Sequence, residues 1–441
     1  MTKRTERRRT LHNSESRERP GAAPAAAHSR ERTAPDRNRR HFLGSLAATG
    51  VAGMAVGAGG ATAWVTGSDT EPQGAALTEL GRRTVPWHGT HQAGITTPPQ
   101  ARLTLLALDL AGNAGRTALA RLLRAWTEAA AQLTAGVPVR GDDASALGSG
   151  PSSLTLTIGF GATMFTKTGL ERQRPEPMAP LPAFPGERID RARSDGDLLL
   201  QVCADDAPVC FHAARSLIRL ARGTASVRWQ MSGFTRSPGA APLAGTTPRN
   251  LMGQLDGTHN PKPADPGFAR KVFVGAGDRP AWMRGGSYLV MRRIRMLLDA
   301  WDGIDTDRQQ RVIGRRKDTG APLSGGAEHT PPHYGKRTPA GEPVIPADAH
   351  IRLAAPEFHA GAAMLRRGYS YDDGQRDGSA DAGLLFLAWQ ADPRRGFIPV
   401  QRRLAQRDAL NHFIRHEASG LYAVPGGCRP GEYIGQRLLE A

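Results

Sequence analysis

Leu154-Thr155-Leu156-Thr157-Ile158-Gly159-Phe160 alternates apolar and small or polar residues at a period of two, the pattern of a strand with one face in a core. Upstream, residues 116–133 carry Leu119, Leu122, Leu123, Trp126, Ala130 and Leu133 at helical spacing. Before them, residues 102–110 are dominated by Leu and Thr and fit a strand. Downstream, the pattern predicts a strand over 197–202, a helix over 208–221 and a closing strand over 226–231. The resulting order, β-α-β-β-α-β, is that of a ferredoxin-like unit.

The second half runs in the same order. Residues 286–294 alternate like a strand whose outward positions are unusually basic, and 306–314 read as a helix. A short strand is expected at Tyr369-Ser370-Tyr371 and a continuously apolar one over 384–389. A helix over 402–414, with Leu404, Leu410 and Phe413 apolar, precedes a last strand over 420–425. No tight sequence repeat accompanies this duplication, which rests on element order. The loop over 330–348 is long enough to be functional or to wrap a cofactor.

Of the formal net charge of +17, +7 sits in residues 1–41, where twelve Lys and Arg face five Asp and Glu, and +10 in the remainder. Such a balance suits an anionic partner. No basic recognition element with aromatic or helical order is present, so nucleic acid is not expected. Residues 1–40 are too polar and Arg-rich to pack. Arg39-Arg40-His41-Phe42-Leu43 then opens an uncharged Gly/Ala/Val run that ends at Ala61-Thr62-Ala63. Paired arginines before a weakly apolar stretch and small residues resemble a twin-arginine signal, implying the twin-arginine translocase and an extracytoplasmic destination. The alternative is a transmembrane anchor of about 20 residues; richness in Gly and Ala with little Leu favours the signal. The expected layout is a basic leader and signal over 1–63, a linker over 64–87, and two halves over 88–250 and 251–441. Cys203, Cys210 and Cys428 allow either one bridge with a free thiol or three buried thiols.

Two further stretches bear on chemistry. In Gly253-Gln254-Leu255-Asp256-Gly257-Thr258-His259-Asn260-Pro261 an acid stands between glycines, which by itself is commonly a turn capping its own backbone. Asp348-Ala349-His350-Ile351-Arg352 is followed by Met364-Leu365-Arg366-Arg367-Gly368-Tyr369. A lone loop histidine is more often a surface residue, although haem iron takes His as its commonest axial base.

Together these stretches resemble the dye-decolourising peroxidase family, whose GxxDG motif matches Gly253 to Gly257. The segments Gly314-Arg315-Arg316-Lys317, Gly320-Ala321-Pro322-Leu323, Gly383-Leu384-Leu385-Phe386 and Pro399-Val400-Gln401 extend the likeness, the last two toward the exported bacterial subgroup. It covers most of residues 88–436. The resemblance implies an α+β fold of two ferredoxin-like halves, of the dimeric α+β barrel type, with haem b held mainly by the second half. It implies His350 as axial ligand of the haem iron, Asp256 as the acid–base on the peroxide side, and Arg366, with Arg367 the neighbouring alternative, as the distal arginine. Arg315 is implied at a haem propionate, and Gly257 and Thr258 beside the cofactor.

The implied activity is hydrogen-peroxide-dependent one-electron oxidation of dyes and phenolic compounds. An iron-releasing deferrochelatase is the alternative on the same fold. A non-catalytic haem carrier would have no need of Asp256 and Arg366 together. Asp392 and Glu417 are candidate carboxylate partners of His350. Tyr369, Tyr371 and Trp389 read as core strand aromatics or as surface relays for electrons. Self-association is left open.

Overall fold

The computed structural model describes residues 79–240 and 245–440. The expected leader and signal over 1–63, and most of the linker, lie outside the described residues. Eight strands form one closed barrel, in the order β1-β3-β2-β8-β5-β7-β6-β4. The first half supplies β1 (Arg102–Leu110), β2 (Thr155–Gly161), β3 (Leu198–Ala204) and β4 (Ala225–Phe234), with α1 (Arg116–Thr134) and α2 (Ala207–Ala221) as crossovers. The second supplies β5 (Ser287–Met296), β6 (Leu365–Arg376), β7 (Ser379–Gln390) and β8 (Ile414–Val424), with α3 (Thr306–Ile313), α4 (His350–Leu353) and α5 (Phe397–Arg407).

Within each half the last strand flanks the first, the first flanks the third and the third flanks the second, so the α+β duplication expected from element order is present. The halves are stitched by two short seams. Phe160 pairs with Ala423 and Gly161 with Tyr422 on one side, and Phe234 pairs with Ser370 on the other.

Strand alternation gives the barrel two surfaces. Its lumen is filled mainly by apolar side chains, Leu105, Leu199, Met291, Leu385, Leu387 and Trp389 among them. The outer face of the first half packs on α1 and α2, which bury Leu119, Leu123, Trp126 and Leu217. The helical face of residues 116–133 read from the sequence is the buried face. On the second half a smaller apolar cluster of Met252, Met296, Trp301, Val312 and Phe413 covers only part of the outer face. The uncovered part becomes the wall of a cavity.

Several local expectations shift. The short strand at Tyr369-Ser370-Tyr371 is the middle of the twelve-residue β6, which joins β7 in a long hairpin. Asp377 and Gly378 turn it with φ of 56° and 77°, the left-handed pair that a tight two-residue hairpin demands. The helix expected over 402–414 begins earlier, at Phe397, and ends at Arg407, because Asp408 starts a separate 3-10 turn through its side chain. The basic positions of β5 are not outward in the sense of solvent. Arg292 and Arg293 are each 1% exposed. Arg292 bonds Glu187 and the Ser419 hydroxyl, while Arg293 reaches Asp381 at 2.8 Å, Asp373 at 2.8 Å and Glu417 at 2.5 Å. Buried guanidinium groups need such partners, since an unpaired buried charge costs several kcal/mol. All three cysteines are buried and unpaired. Among the described residues no helix is long and apolar enough to cross a membrane.

Candidate functional site

The cavity over the second half has a volume of about 720 Å³, within the range of small-molecule and cofactor pockets, roughly 300–1,000 Å³. Asp256, Gly257, Thr258, Arg315, His350 and Arg366 all line it. Much of the remaining wall is apolar, including Met252, Ile294, Met296, Leu384, Phe386 and Leu410.

His350 opens α4, and its Nδ1 lies 2.6 Å from Oδ2 of Asp408. Asp408 stands at the end of α5 with a side chain 2% exposed, and its Oδ1 accepts the Leu410 N–H at 2.8 Å. The carboxylate is therefore held at both oxygens, and it fixes the ring with Nδ1 as the donor, leaving Nε2 as the free nitrogen. Burial works against the imidazolium, but the Asp408 charge and hydrogen bond outweigh it and hold the His350 pKa above its ordinary value. The carboxylates suggested from the sequence do not reach this ring. Asp392 is bound to Arg394, and Glu417 to Arg293 and Arg376.

Asp256 follows a bridge between Arg249 and Leu255, and its Oδ2 receives a long 3.4 Å contact from the Asn250 amide. Gly257 takes φ of +130°, a conformation that side chains rarely adopt, and the chain turns there as Asn260 N–H donates to the Gly257 carbonyl at 3.0 Å. Thr258 donates to Glu328 at 2.9 Å. Burial would raise the Glu328 pKa, but hydroxyls of Thr247 and Thr258 hold it below the usual value.

Arg366 and Arg367 are separated by the pleat of β6. Arg366 lines the cavity, and among the described residues its guanidinium makes no hydrogen bond. Arg367 points into the barrel, 2% exposed, where it bonds the Thr97 carbonyl and Gln100. Arg315, 5% exposed, spends Nη1 on the carbonyls of Gly320 at 2.6 Å and Glu328 at 2.8 Å, and its Nη2 is buried with no partner among the described residues.

Tyr369, Tyr371 and Trp389 are buried in the barrel, so none is a surface aromatic. Asp408, Asn260 and Glu328 are the site residues that sequence reading missed. A second grouping able to offer metal ligands, Asp142, Asp143 and His212, has its carboxylates engaged by backbone N–H groups, the His212 ring, Arg215 and Arg219, which disfavours a cation there.

The donor set suits a flat, anionic metal macrocycle. The walls are apolar, one imidazole nitrogen is free and buttressed by a carboxylate, and a buried guanidinium has an orphaned N–H that a carboxylate on the macrocycle rim would satisfy.

Comparison with known proteins points the same way. The family model for the N-terminal part of Dyp-type peroxidases matches residues 92–235, and that for the C-terminal part matches 247–429. The dye-decolorizing peroxidase of Thermobifida fusca is 45% identical over 419 residues, 91% of this chain and 97% of that protein. The deferrochelatase of Escherichia coli K12 is 38% identical over 372 residues, 80% of this chain and 87% of its own length. Ferric DtpA from Streptomyces lividans superposes with a TM-score of 0.81 at 56% identity, covering 83% of this chain and 99% of that one.

Proposed function

This chain belongs to the Dyp-type peroxidase family, and from that premise we propose that its cavity holds haem b, with His350 as the residue that would hold the iron and Asp256 and Arg366 as the groups that would act on hydrogen peroxide. As a peroxidase it takes oxidising equivalents from peroxide and passes them to a reductant, with dyes and phenolic compounds as the substrate class. The observation that carries the assignment is convergence. A carboxylate-held imidazole, a second carboxyl group and an arginine whose guanidinium makes no hydrogen bond among the described residues line one cavity.

When bound, haem would supply redox-active iron. The protein's own groups do the rest. Asp256 would take a proton from one peroxide oxygen and return it to the oxygen that leaves, a shuttle worth about 10²–10⁴-fold. Arg366 cannot deprotonate, so it presents a fixed positive charge to the leaving oxygen as the O–O bond polarises. Asp408 accepts the hydrogen bond from the His350 Nδ1–H, which orients the ring and makes Nε2 the more basic. Arg315 offers its spare Nη2 to a propionate.

The second reading, release of iron from haem, draws support from the relatives named deferrochelatase. It uses the same cavity. Supplying haem, and separately dye with peroxide, distinguishes the two: metal-free porphyrin appears in one case and bleached dye in the other. The haem-carrier reading leaves Asp256 and Arg366 without a task. The layout proposed for the chain is a basic leader and twin-arginine signal over 1–63, a linker over 64–87, then halves over 88–250 and 251–441, with export by the twin-arginine translocase. The paired Arg39-Arg40 and the uncharged run that follows support export. The purified protein mixed with haem and then peroxide tests the main reading: a Soret band that shifts on peroxide and is restored by a phenol is expected.

A further inference from the structure

The peptide of Arg366 has an unusual partner. Its N–H donates to Oδ1 of Asn260 at 2.7 Å, and its carbonyl accepts from Nδ2 of the same side chain at 2.7 Å. β6 pairs with β7 along most of its length but meets β4 only at Ser370, so among the described residues the start of β6 has no strand on that side. The Asn260 amide replaces the missing strand for one residue, offering donor and acceptor side by side as a peptide does.

Asn260 is itself tied back to the acid-bearing loop, because its N–H closes the turn on the Gly257 carbonyl at 3.0 Å. A continuous path of short bonds thus runs from the residue after Asp256 to the backbone of Arg366. The guanidinium of Arg366 has no hydrogen bond of its own among the described residues, so where it sits is restrained through its backbone, which β7 holds on one side opposite Ala388 and Asn260 holds on the other.

We infer that Asn260 is the positioning residue for Arg366, an amide clamp that fixes the arginine relative to Asp256. The inference rests on the reading of Arg366 as the charge that acts on peroxide. Asparagine alone fits the clamp: aspartate lacks the donor and sets a negative oxygen against the Arg366 carbonyl, glutamine is one methylene too long, and serine keeps one bond at most.

The test is a double-mutant cycle on the haem-loaded protein, following the Soret change on mixing with peroxide in wild type, Asn260→Ala, Arg366→Leu and the double variant. Misplacement of a reacting group by about 1 Å costs on the order of 10²-fold, so Asn260→Ala should slow the step roughly tenfold to a hundredfold. In the Arg366→Leu background the same substitution should change nothing, since the group it positions is gone. An equal loss in both backgrounds overturns the inference, as does no loss in wild type while Arg366→Leu is slow. A fast Arg366→Leu protein instead sinks the underlying reading of the arginine and takes the inference with it.

A second readout does not depend on turnover. The Arg366 amide proton should exchange faster with solvent in Asn260→Ala, read on a peptide spanning 364–368; unchanged exchange contradicts the clamp. Should Asn260→Ala not fold, Asn260→Ser run through the same cycle keeps one bond at most. It should show a smaller loss that again vanishes beside Arg366→Leu, and a loss that persists there overturns the clamp.

Discussion

Nδ1 of His350 and Oδ2 of Asp408 stand 2.6 Å apart, although 58 residues separate them in the chain. The other oxygen of that carboxylate caps the turn beginning at Ala409. One side chain therefore both orients the proposed ligand and ends α5. Removing charge while keeping shape separates the two duties. Asp408→Asn should still fold and bind haem, with peroxide reactivity down roughly 10–100-fold and the haem reduction potential raised. Redox titration with stopped-flow kinetics checks both.

His350→Ala should fold and lose either the haem or its five-coordinate spectrum. An absorption spectrum after reconstitution decides the point, and an unchanged Soret band removes His350 from the site.

Arg315 is expected to act through its unsatisfied Nη2. A hydrogen bond to a charged group contributes about 1.5–3 kcal/mol, so Arg315→Met should weaken haem retention by roughly 10–100-fold. Transfer of haem to an acceptor protein measures it, and retention equal to wild type would show that no propionate meets this residue.

His416 lies on β8 at the cavity wall, where burial and the neighbouring Arg292 pull its pKa down to about 3. Its folded value lies below the ordinary 6.5, so the folded protein binds fewer protons than the unfolded chain between those values. Stability that is complete above 6.5 should fall as pH drops toward 3, by up to about 1.4 kcal/mol per pH unit crossed. Denaturant melts from pH 7 to 4 on wild type and His416→Phe should show a flatter slope in the variant.

Much of this fold is legible in the sequence because period-two and period-3.6 patterns are local. The strands around Leu154-Thr155-Leu156 and the buried face of α1 needed nothing else. The arms of the β6–β7 hairpin were hidden by Asp372, Asp373, Gly374 and Asp377, which read as loop although most stand on paired strands. Arg292 and Arg293 carry no local sign of being buried, since their partners Glu187, Asp381 and Glu417 come from distant segments. Asp256, His350 and Arg366 could be proposed because they stand in recognisable stretches. Asp408 could not, because it lies in an ordinary Gln-Arg-Asp-Ala-Leu helix end and acts only through the fold.

Export is proposed from Arg39-Arg40 and the uncharged run behind them. Arg39→Lys together with Arg40→Lys should strand the precursor in the cytoplasm, visible by fractionation. Continued secretion of the double variant would point to another route.

As proposed, Asp256 and Arg366 act together on peroxide, with the fixed charge dominant. Water can substitute for a missing carboxylate as proton carrier, whereas nothing replaces the Arg366 charge in the step that separates charge. Stopped-flow mixing of haem-loaded wild type, Asp256→Asn and Arg366→Leu with peroxide, at several pH values, measures this directly. Arg366→Leu should be the slower variant, and Asp256→Asn should also flatten the pH dependence, with both still binding haem. An Asp256→Asn protein that fails to react while Arg366→Leu stays near wild type would reverse the ranking, and two variants at the wild-type rate would contradict a role for either residue in the reaction with peroxide.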